Sequence, residues 1–527
     1  MKNITIKKLI NNILLLSIAI SLFSCSDFLD QDPKSSLPED EAFSTLERID
    51  PIVKGLYTGY RQMKEGRTGL TFLMMGMDES KQGVVQMDEL NQAGLDLYNG
   101  LLNSSASYIN SMWERKWAVV NPAAKAIHYL GRLQENTTDQ SLLPKIKNLQ
   151  GEAYFFRAMV MIELAMYWGE VPVINYSESV NLSRRPLDEV WGQIISDFTQ
   201  ATELLPENGS QEKGNISSGA AWAMLGRSYM SAPAETNMRD FEKAKQCFEK
   251  VMNSGYNLDS QYSNLFDESM EFNSPESIFE INFENQWPLQ NYWEFDLGSR
   301  TVERMFGIGC YFAGYDAALP TEYAYKMKSE GGVWEDGDLR KDVSIRYDFT
   351  YNGMTPTTPI WGADELDPHV KKHEDKRTDY SAGDQFANSW YCGKNFIVIR
   401  YADVLLCYAE CLNELGQTAA AVDIVNQVRA RAWGGSLPTD KRWGSMSQED
   451  FRVQIMDERI RELCFEGWRR MDLIRTGNFV KLIKERNPWA KQAGTIQDFH
   501  MRWPIPYGEL ADNPDMNGSE DQNPGYN

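Results

Sequence analysis

The chain has 527 residues, with 75 acidic and 53 basic side chains and a formal net charge of −22. A body this acidic repels phosphate backbones, which argues against nucleic acid as a partner and favours a neutral ligand. With only four histidines, the sequence leaves little room for histidine-based catalysis or metal binding.

The N-terminus has the layout of a lipoprotein signal peptide. Three lysines precede an apolar run, 13–23, of about eleven residues, whereas a bilayer-spanning helix needs about 20. The run ends in LFSC, which resembles the bacterial lipobox. We therefore expect 1–24 to be removed and Cys25 to carry fatty chains that anchor the protein in the outer membrane. Acids directly after Cys25 resemble the flank that sends some lipoproteins to the cell surface. The alternative is an ordinary signal peptide with an incidental cysteine.

Helical periodicity is the strongest signal in the N-terminal region, 25–255. Apolar side chains recur every three or four positions in 149–167 and 190–205, and Pro206 should end the second of these helices. An earlier helix contains Pro122, which is expected to kink or break it.

Two segments resemble the helical hairpins of tetratricopeptide repeats. The first is 223–256, with Gly255 as its C-terminal stop, and the second is 401–432, with Gly416 in the turn and Thr418 as the N-cap. Such pairs stack because each pair alone leaves an apolar face exposed.

The pattern changes in 256–395. A short strand, 277–283, is followed by sequence rich in Gly, Asp, Trp and Tyr, which predicts irregular loops with small strands. The last region, 396–527, is helical again, but its proline-rich tail is expected to be extended and docked rather than helical.

The seven cysteines form no C-x-x-C motif, which argues against redox and zinc-ribbon sites. Cys407 and Cys411 lie four residues apart on a predicted helix. We expect them to be small buried side chains rather than a disulfide.

Five segments together resemble the SusD/RagB family of outer-membrane nutrient-binding lipoproteins. They are RYADVLLCYAECLNELG (400–416), DERIRELCFEGWRRMDLIRTG (457–477), PIPYGELADNP with QNPGY at the end, GEAYFFRAMVMIELAMYWGEVPV, and SGYNLDSQYSNLF. The resemblance runs from Cys25 to Tyr526. It implies a mainly α fold, in which a scaffold of tetratricopeptide-like pairs carries a large irregular portion. It also implies a partner, a SusC-like TonB-dependent transporter, to which the lipoprotein presents an oligosaccharide or, in some members, a peptide.

The family's charged motif falls on one C-terminal stretch. Its members are Glu458, Arg459, Arg461, Glu462, Glu466, Arg469, Arg470, Asp472 and Arg475. They could form a ligand or transporter site, or an ion-pair network that ties the last long helix to the repeats. Opposite charges at helical spacing favour the network.

Aromatic residues on loops are better ligand candidates, because sugar C–H faces stack on rings while amides and carboxylates bind the hydroxyls. Trp287, Trp293, Trp334 and Trp361 have polar, loop-like surroundings. Five other tryptophans occupy apolar helix faces and are expected in the core: Trp113, Trp117, Trp191, Trp222 and Trp468. The leading cluster is Asn285, Trp287, Asn291, Tyr292 and Trp293, with a buried loop anchor as the alternative.

Two further segments are weaker ligand candidates. Asp78, Tyr98 and Asn99 are chosen by their approximate position in the family resemblance. Tyr311 and Tyr315 lie in a tyrosine-rich loop.

Metal and catalytic motifs are poorly supported. His369 and His373 lie four residues apart, but no further ligands can be identified, and a solvated surface turn is expected. The acid-rich stretch 334–342 could hold calcium but lacks the EF-hand pattern. No nucleophile elbow, P-loop or dinucleotide fingerprint is present.

We therefore expect a non-enzymatic, cofactor-free protein that binds a nutrient glycan and delivers it to a transporter. A peptide-binding member of the same family, a surface glycosidase or peptidase, and a tetratricopeptide assembly scaffold remain the alternatives.

Overall fold

The structure, a computed structural model, describes residues 39–66, 69, 74–89, 92–176, 182–211, 214–298, 314–347, 367–377 and 391–526. Cys25, Tyr311 and Trp361 lie outside the described residues. Within the described part of the chain, no helix is long and apolar enough to cross a bilayer.

The architecture is mainly α, as predicted. The longer helices are α1 (Leu46–Lys64), α2 (Ser107–Asn136), α3 (Leu143–Trp168), α4 (Leu187–Leu204), α5 (Ser218–Ser231), α6 (Phe241–Met252), α7 (Tyr401–Glu414), α8 (Thr418–Ala432), α9 (Gln448–Leu463), α10 (Arg469–Arg475) and α11 (Phe479–Arg486). Shorter helices are Glu39–Ala42, Val84–Glu89, Gly94–Leu97, Trp293–Leu297, Glu322–Tyr325, Arg340–Ser344, Pro488–Ala493 and Tyr507–Asp512.

Successive helices pack against one another in a continuous scaffold. Helix α1 contacts α2 and α3, and contacts then run in chain order from α2 through to α8, with α9 packed on α7. The predicted hairpins are confirmed as α5–α6 and α7–α8. Gly255 and Gly416 both have a positive φ in the turns that follow helices, a conformation that favours glycine. Gln417 rather than Thr418 is the N-cap of α8.

Helix α3 is the centre of the scaffold. From Leu149 to Trp168 it is buried on every side except at Tyr154, because helices pack around its whole circumference. Its buried charges are paired: Arg157 makes two 2.7 Å hydrogen bonds to Asp197.

Pro122 does not break a helix, because α2 continues through it from Ser107 to Asn136; the expectation of a break is corrected. The tryptophans predicted in the core lie there or against it. Trp113 and Trp191 are buried, and the other three are partly buried and packed on the core.

The described strands form three small antiparallel sheets. They are β1 (Ser80–Lys81) with β3 (Leu319–Pro320), β2 (Ser277–Ile281) with β6 (Phe396–Arg400), and β4 (Ile345–Arg346) with β5 (His369–Val370). The β2–β6 register pairs Ser277 with Arg400 and Ile281 with Phe396. Because the strands are antiparallel, the segment after β2 lies beside the segment before β6.

The C-terminal tail is docked, as predicted. The Trp503 amide donates to the Tyr167 carbonyl at 2.6 Å, and Asn523 Nδ2 donates to the Trp168 carbonyl at 2.9 Å. The expectation that the tail is not helical is corrected, because it contains Tyr507–Asp512 and a 3-10 turn at Gly518–Asp521. Pro506 precedes the first of these, a position where proline is compatible with a helix start.

Candidate functional site

The charged motif is a buried ion-pair network, as favoured from the sequence. Glu462 Oε1 accepts from Arg400 at 2.6 Å and from Arg431, and Glu462 Oε2 accepts from Arg340 at 2.9 Å. Burial acts to raise the pKa of Glu462, but the charges of Arg431, Arg400 and Arg340 lower it to about 2. We call these four residues, with Glu276, Glu458 and Glu466, the Glu462 cluster.

The Glu462 cluster ties the loop-rich region to the helical scaffold. Arg400 ends β6 and also reaches Glu276 at 2.8 Å, just before β2. Arg431 lies on α8 and contacts the same glutamate at 2.9 Å. The network therefore fixes the start of β2, and with it the loop that follows, relative to the repeats.

Asp78 belongs to a second buried ion pair and does not face a ligand. Its carboxylate accepts from Arg469 at 2.6 Å and from Arg486 at 3.0 Å. Burial acts to raise its pKa, but the charges and hydrogen bonds of Arg469 and Arg486 together outweigh burial, and the pKa is lowered. The prediction of a ligand contact at Asp78 is corrected, because its acceptor oxygens are committed to arginines of α10 and α11.

The neighbouring candidates also turn inwards. Tyr98 is buried, and its hydroxyl donates to the Gly76 carbonyl at 2.6 Å, so this candidate is corrected as well. Asn99 is half-buried, and its Oδ1 accepts from the Leu101 amide at 3.0 Å. The Asn99 side chain therefore forms a hydrogen bond within its own turn.

The leading cluster lies on a tight loop between β2 and Trp293, which we call the Trp287 loop (residues 282–292). The Glu284 amide donates to the Leu289 carbonyl and the Leu289 amide to the Gln286 carbonyl, both at 2.8 Å. The Trp287–Pro288 peptide bond at the tip is cis. Trp287 is 71% exposed, the most exposed of the large apolar side chains in the described residues.

The base of the Trp287 loop is clamped to the segment before β6. Asn291 and Cys392 exchange backbone hydrogen bonds at 2.9 and 3.1 Å, and Asn285 Nδ2 donates to the Tyr391 carbonyl at 3.0 Å. A Cβ on Gly393 would lie 2.4 Å from the Asn285 amide nitrogen, so only glycine permits this approach.

Asp375 secures the clamp from the other side. Its Oδ2 accepts from the Gly393 amide at 3.0 Å, and its Oδ1 accepts from Arg377 Nε at 2.9 Å. Burial acts to raise the pKa of Asp375, but the hydrogen bond and charge of Arg377 lower it. The carboxylate therefore stays ionised and holds the strand edge under the loop.

Trp293 and Asn291 are anchors rather than ligand contacts, which corrects their place in the cluster. Trp293 is only 1% exposed and packs edge-on against Phe396, with ring centroids 4.5 Å apart. Asn291 is buried, and its Nδ2 donates to the Lys394 carbonyl at 3.2 Å. Of the sequence cluster, Asn285, Trp287 and Tyr292 remain at least partly exposed.

Two candidate rings from the sequence, Tyr292 and Tyr315, are half-buried. Tyr292 is half-buried and meets Tyr391 edge-on at 6.2 Å. Tyr315 is half-buried and stacks on Phe295 at 5.8 Å. The sequence analysis missed Tyr391 and the exposed Gln286; the strand pairing of β2 with β6 was the signal that could have placed Tyr391 beside the loop.

The histidine pair is buried, so the expected surface turn is wrong. His369 Nε2 lies 2.6 Å from Asp316, and His373 Nε2 lies 2.9 Å from the Phe465 carbonyl. Burial lowers the pKa of His373 to about 4, which keeps its ring neutral near pH 7. Trp334, expected on a loop surface, is also buried and donates to the Ala324 carbonyl at 2.6 Å.

No group of three or more His, Cys, Asp or Glu in the described residues is arranged to hold a metal ion. In the acid-rich stretch, Asp338 pairs with Arg340 at 2.6 Å. Cys407 and Cys411 are free and buried, as expected.

The Trp287 loop offers an aromatic face, side-chain amides and backbone polar groups, which is chemistry suited to binding.

Comparisons with known proteins agree with this architecture. A sequence model of the SusD family matches residues 275–526, and a model described as "Starch-binding associating with outer membrane" matches residues 27–230. SusD-like protein P2 of Formosa agariphila is 27% identical, over 97% of this chain and 98% of its own length.

Solved structures show the same fold. A SusD homolog from Bacteroides thetaiotaomicron superposes with a TM-score of 0.76 at 21% identity, covering 93% of this chain and 99% of its own. A laminarin-binding SusD-like protein superposes with a TM-score of 0.71 at 23% identity, covering 91% and 99%. The two sequence models together span most of the chain, in the order that the motifs predict, and the chain belongs to the SusD/RagB family.

Proposed function

We propose that this protein captures a nutrient glycan at the outer membrane and delivers it, chemically unchanged, to a TonB-dependent transporter. The observation that carries the proposal is Trp287, an indole exposed to solvent at the tip of a loop that is rigidly clamped at its base. Single exposed apolar side chains are common on protein surfaces; what supports a ligand here is that the indole lies on a loop held in place by its base, the kind of preorganised loop on which binding residues concentrate.

The surroundings of Trp287 suit a polyhydroxylated ligand. Asn285 and Gln286 are exposed beside it, and planar amides can both donate to and accept from sugar hydroxyls. The clamp by Gly393 and Asp375 holds the loop before the ligand arrives, which lowers the entropic cost of binding.

The named relatives support the same class of ligand. One matching family model carries a starch-binding description, and one solved structure with this fold is a laminarin-binding protein. The two polysaccharides differ, so the relatives support glycan binding without indicating which glycan this chain prefers.

Membrane attachment and the transporter complete the proposal. Lipidation of Cys25 would tether the body, and the relatives' association with the outer membrane supports that location. In this arrangement a SusC-like barrel receives the ligand from the tethered protein.

Affinity electrophoresis of the full-length protein, purified in detergent, against a panel of polysaccharides tests the proposal. We expect retardation by at least one neutral polysaccharide, with no change in its chain-length distribution after prolonged incubation. Cleavage of the bound polysaccharide would favour the surface-glycosidase alternative, and retention of peptides alone would favour the peptide-binding one.

A second arm tests delivery. The protein solubilised from its own membranes in mild detergent should co-purify with a large β-barrel protein, whereas the same preparation after high-detergent washing should not. Recovery of the protein without a barrel under every mild condition would contradict the transporter partner.

A further inference from the structure

Glu284 is the only charged residue of the Trp287 loop, and no lysine or arginine lies in 282–292. It is half-buried, and its backbone amide donates to the Leu289 carbonyl at 2.8 Å. The residue therefore belongs to the same turn as the exposed indole. The backbone hydrogen bonds of this turn hold one carboxylate close to Trp287.

One oxygen of this carboxylate is available to a ligand. Gln286 Nε2 donates to Glu284 Oε2, which orients the group. Glu284 Oε1 accepts no hydrogen bond from any described residue, and it is not among the polar atoms withdrawn from solvent. An ionised carboxylate only accepts hydrogen bonds, and the bonds that it accepts are stronger than those of a neutral acceptor. A hydroxyl donor next to the indole is therefore a suitable partner for Oε1.

The neighbouring amides present mainly acceptors to a ligand. Asn285 Nδ2 donates to the Tyr391 carbonyl at 3.0 Å and to Asp375 at 3.4 Å, so both of its protons are used at the base of the loop. Gln286 gives one of its two protons to Glu284. Sugar hydroxyls can donate to the remaining oxygens, whereas a carboxylate on a sugar can only accept.

The charge of Glu284 is not neutralised by the cations that flank the clamp in the chain. These cations are Lys376, Arg377 and Lys394. Arg377 pairs with Asp375 and Glu271, both at 2.9 Å. Lys394 is buried and donates to the Glu374 carbonyl at 2.8 Å, and the backbone amide of Lys376 donates to Glu268 at 3.0 Å. Within the described part of the chain, none of the three forms a salt bridge with Glu284.

We propose that Glu284 selects the ligand of the Trp287 loop. Its Oε1 accepts from hydroxyls at the edge of a sugar ring that stacks on Trp287, and its charge repels glycans that carry carboxylate or sulfate groups at that position. The ligand class is thereby narrowed to neutral glycans with free hydroxyl donors. This inference rests on the proposed function and adds a specificity-determining residue to the same loop.

Calorimetric titration of the full-length protein in detergent, at physiological salt, tests the inference. The probes are oligosaccharides of laminarin, amylose, mannan and galactan, each compared with the same oligosaccharide after oxidation of its primary hydroxyls to carboxylates. The wild type should bind at least one neutral form, and should bind the oxidised form roughly fivefold or more weakly. Because the repulsion is electrostatic, this preference should shrink as salt increases.

Variants assign the preference to Glu284. Glu284→Gln keeps the size of the side chain and removes its charge, so it should bind the neutral form roughly fivefold more weakly and the two forms within about twofold of each other. Its melting temperature should match that of the wild type. Glu284→Asp, which keeps the charge, should retain part of the preference. Asp423→Asn, which removes an exposed charge on α8, should change neither affinity.

The role of Glu284 and the proposed function fail in different ways. Loss of binding in Trp287→Ala, together with an undiminished preference for neutral forms in Glu284→Gln, would overturn the role of Glu284 and leave glycan capture by the loop standing. Equal affinity of the wild type for neutral and oxidised forms would do the same. A wild type that binds none of the probes would contradict both.

Discussion

Replacing Glu462 by Gln removes one negative charge from the centre of the Glu462 cluster while keeping the size of the side chain. Three arginines, Arg340, Arg400 and Arg431, converge on this carboxylate. The amide would retain one acceptor oxygen and place an N–H group against an arginine. The variant therefore leaves buried positive charge uncompensated, which is costlier than losing a surface pair.

The size of the effect follows from the pKa of Glu462. Burial acts to raise it, but the three arginines lower it from 4.5 to about 2, and at about 1.4 kcal/mol per pH unit this corresponds to about 3 kcal/mol of folding free energy at pH 7. Because the folded-state pKa is depressed, this contribution is complete above pH 4.5 and is lost as the pH falls towards 2.

Urea denaturation at pH 7, followed by circular dichroism, measures the change. Glu462→Gln should lower the free energy of unfolding by about 3 kcal/mol with an unchanged m-value. Glu449→Gln, an exposed glutamate on the same helix paired with Arg452, is the matched control and should change it by about 0.5 kcal/mol or less. A Glu462→Gln variant as stable as the control would refute the view that the cluster holds the loop region on the scaffold.

Three further outcomes follow. Gly393→Ala should weaken glycan binding about tenfold or more and lower the melting temperature, because its Cβ would collide with the loop backbone. The control Gly444→Ala, at a glycine with open space around it, should change neither the binding nor the melting temperature. Normal glycan binding by Gly393→Ala would contradict the view that Gly393 clamps the loop. Burial lowers the pKa of His373 to about 4, so the unfolded chain takes up a proton that the folded one does not as the pH falls from 6.5 to 4. The free energy of unfolding, measured by denaturation at several pH values, should therefore fall by about 3 kcal/mol less for His373→Gln than for the wild type between pH 6.5 and 4. If the two free energies fall in parallel with pH, the buried ring is not held neutral. Cys25→Ser should move the protein from the membrane to the soluble fraction in cell fractionation, and full retention in the membrane would contradict lipid anchoring.

The helical scaffold was predictable because its signals are local. The spacing of apolar residues and the turn glycines Gly255 and Gly416 lie within each hairpin, so the sequence alone identified α5–α6 and α7–α8. Opposite charges at helical spacing likewise predicted the ion-pair network, although not its partners from distant segments such as Arg340 and Glu276.

The candidate site was only partly predictable, because burial on loops is decided by remote contacts. Trp287 and Trp293 share one polar stretch, yet one is exposed and the other packs on Phe396. The antiparallel pairing of β2 with β6 places Phe396 against Trp293 and leaves Trp287 at the tip of the loop. This pairing joins segments that lie more than a hundred residues apart in the chain. The position of His373 was not predictable for the same reason, since its hydrogen-bond acceptor, the Phe465 carbonyl, lies 92 residues further along the chain.

The two buried candidates Asp78 and Tyr98 lead to the same conclusion. Asp78 and Tyr98 were chosen by approximate position in a family resemblance, without a local pattern to support them. Their partners, Arg469 and the Gly76 carbonyl, satisfy them inside the protein. Position alone does not indicate whether a polar side chain faces a ligand or the core.

The central claim is that the Trp287 loop captures the glycan. Its most direct test is calorimetric titration, into the wild type, Trp287→Ala and Tyr507→Ala, of the polysaccharide that retards the protein in affinity electrophoresis. Tyr507 is 62% exposed, close to the 71% of Trp287, so both variants should keep the wild-type melting temperature. Loss of an aromatic contact of about 2 kcal/mol should raise the Kd of Trp287→Ala roughly 30-fold, while Tyr507→Ala binds as the wild type does. A Trp287→Ala variant that binds within about twofold of the wild type would contradict the assignment of glycan capture to this loop.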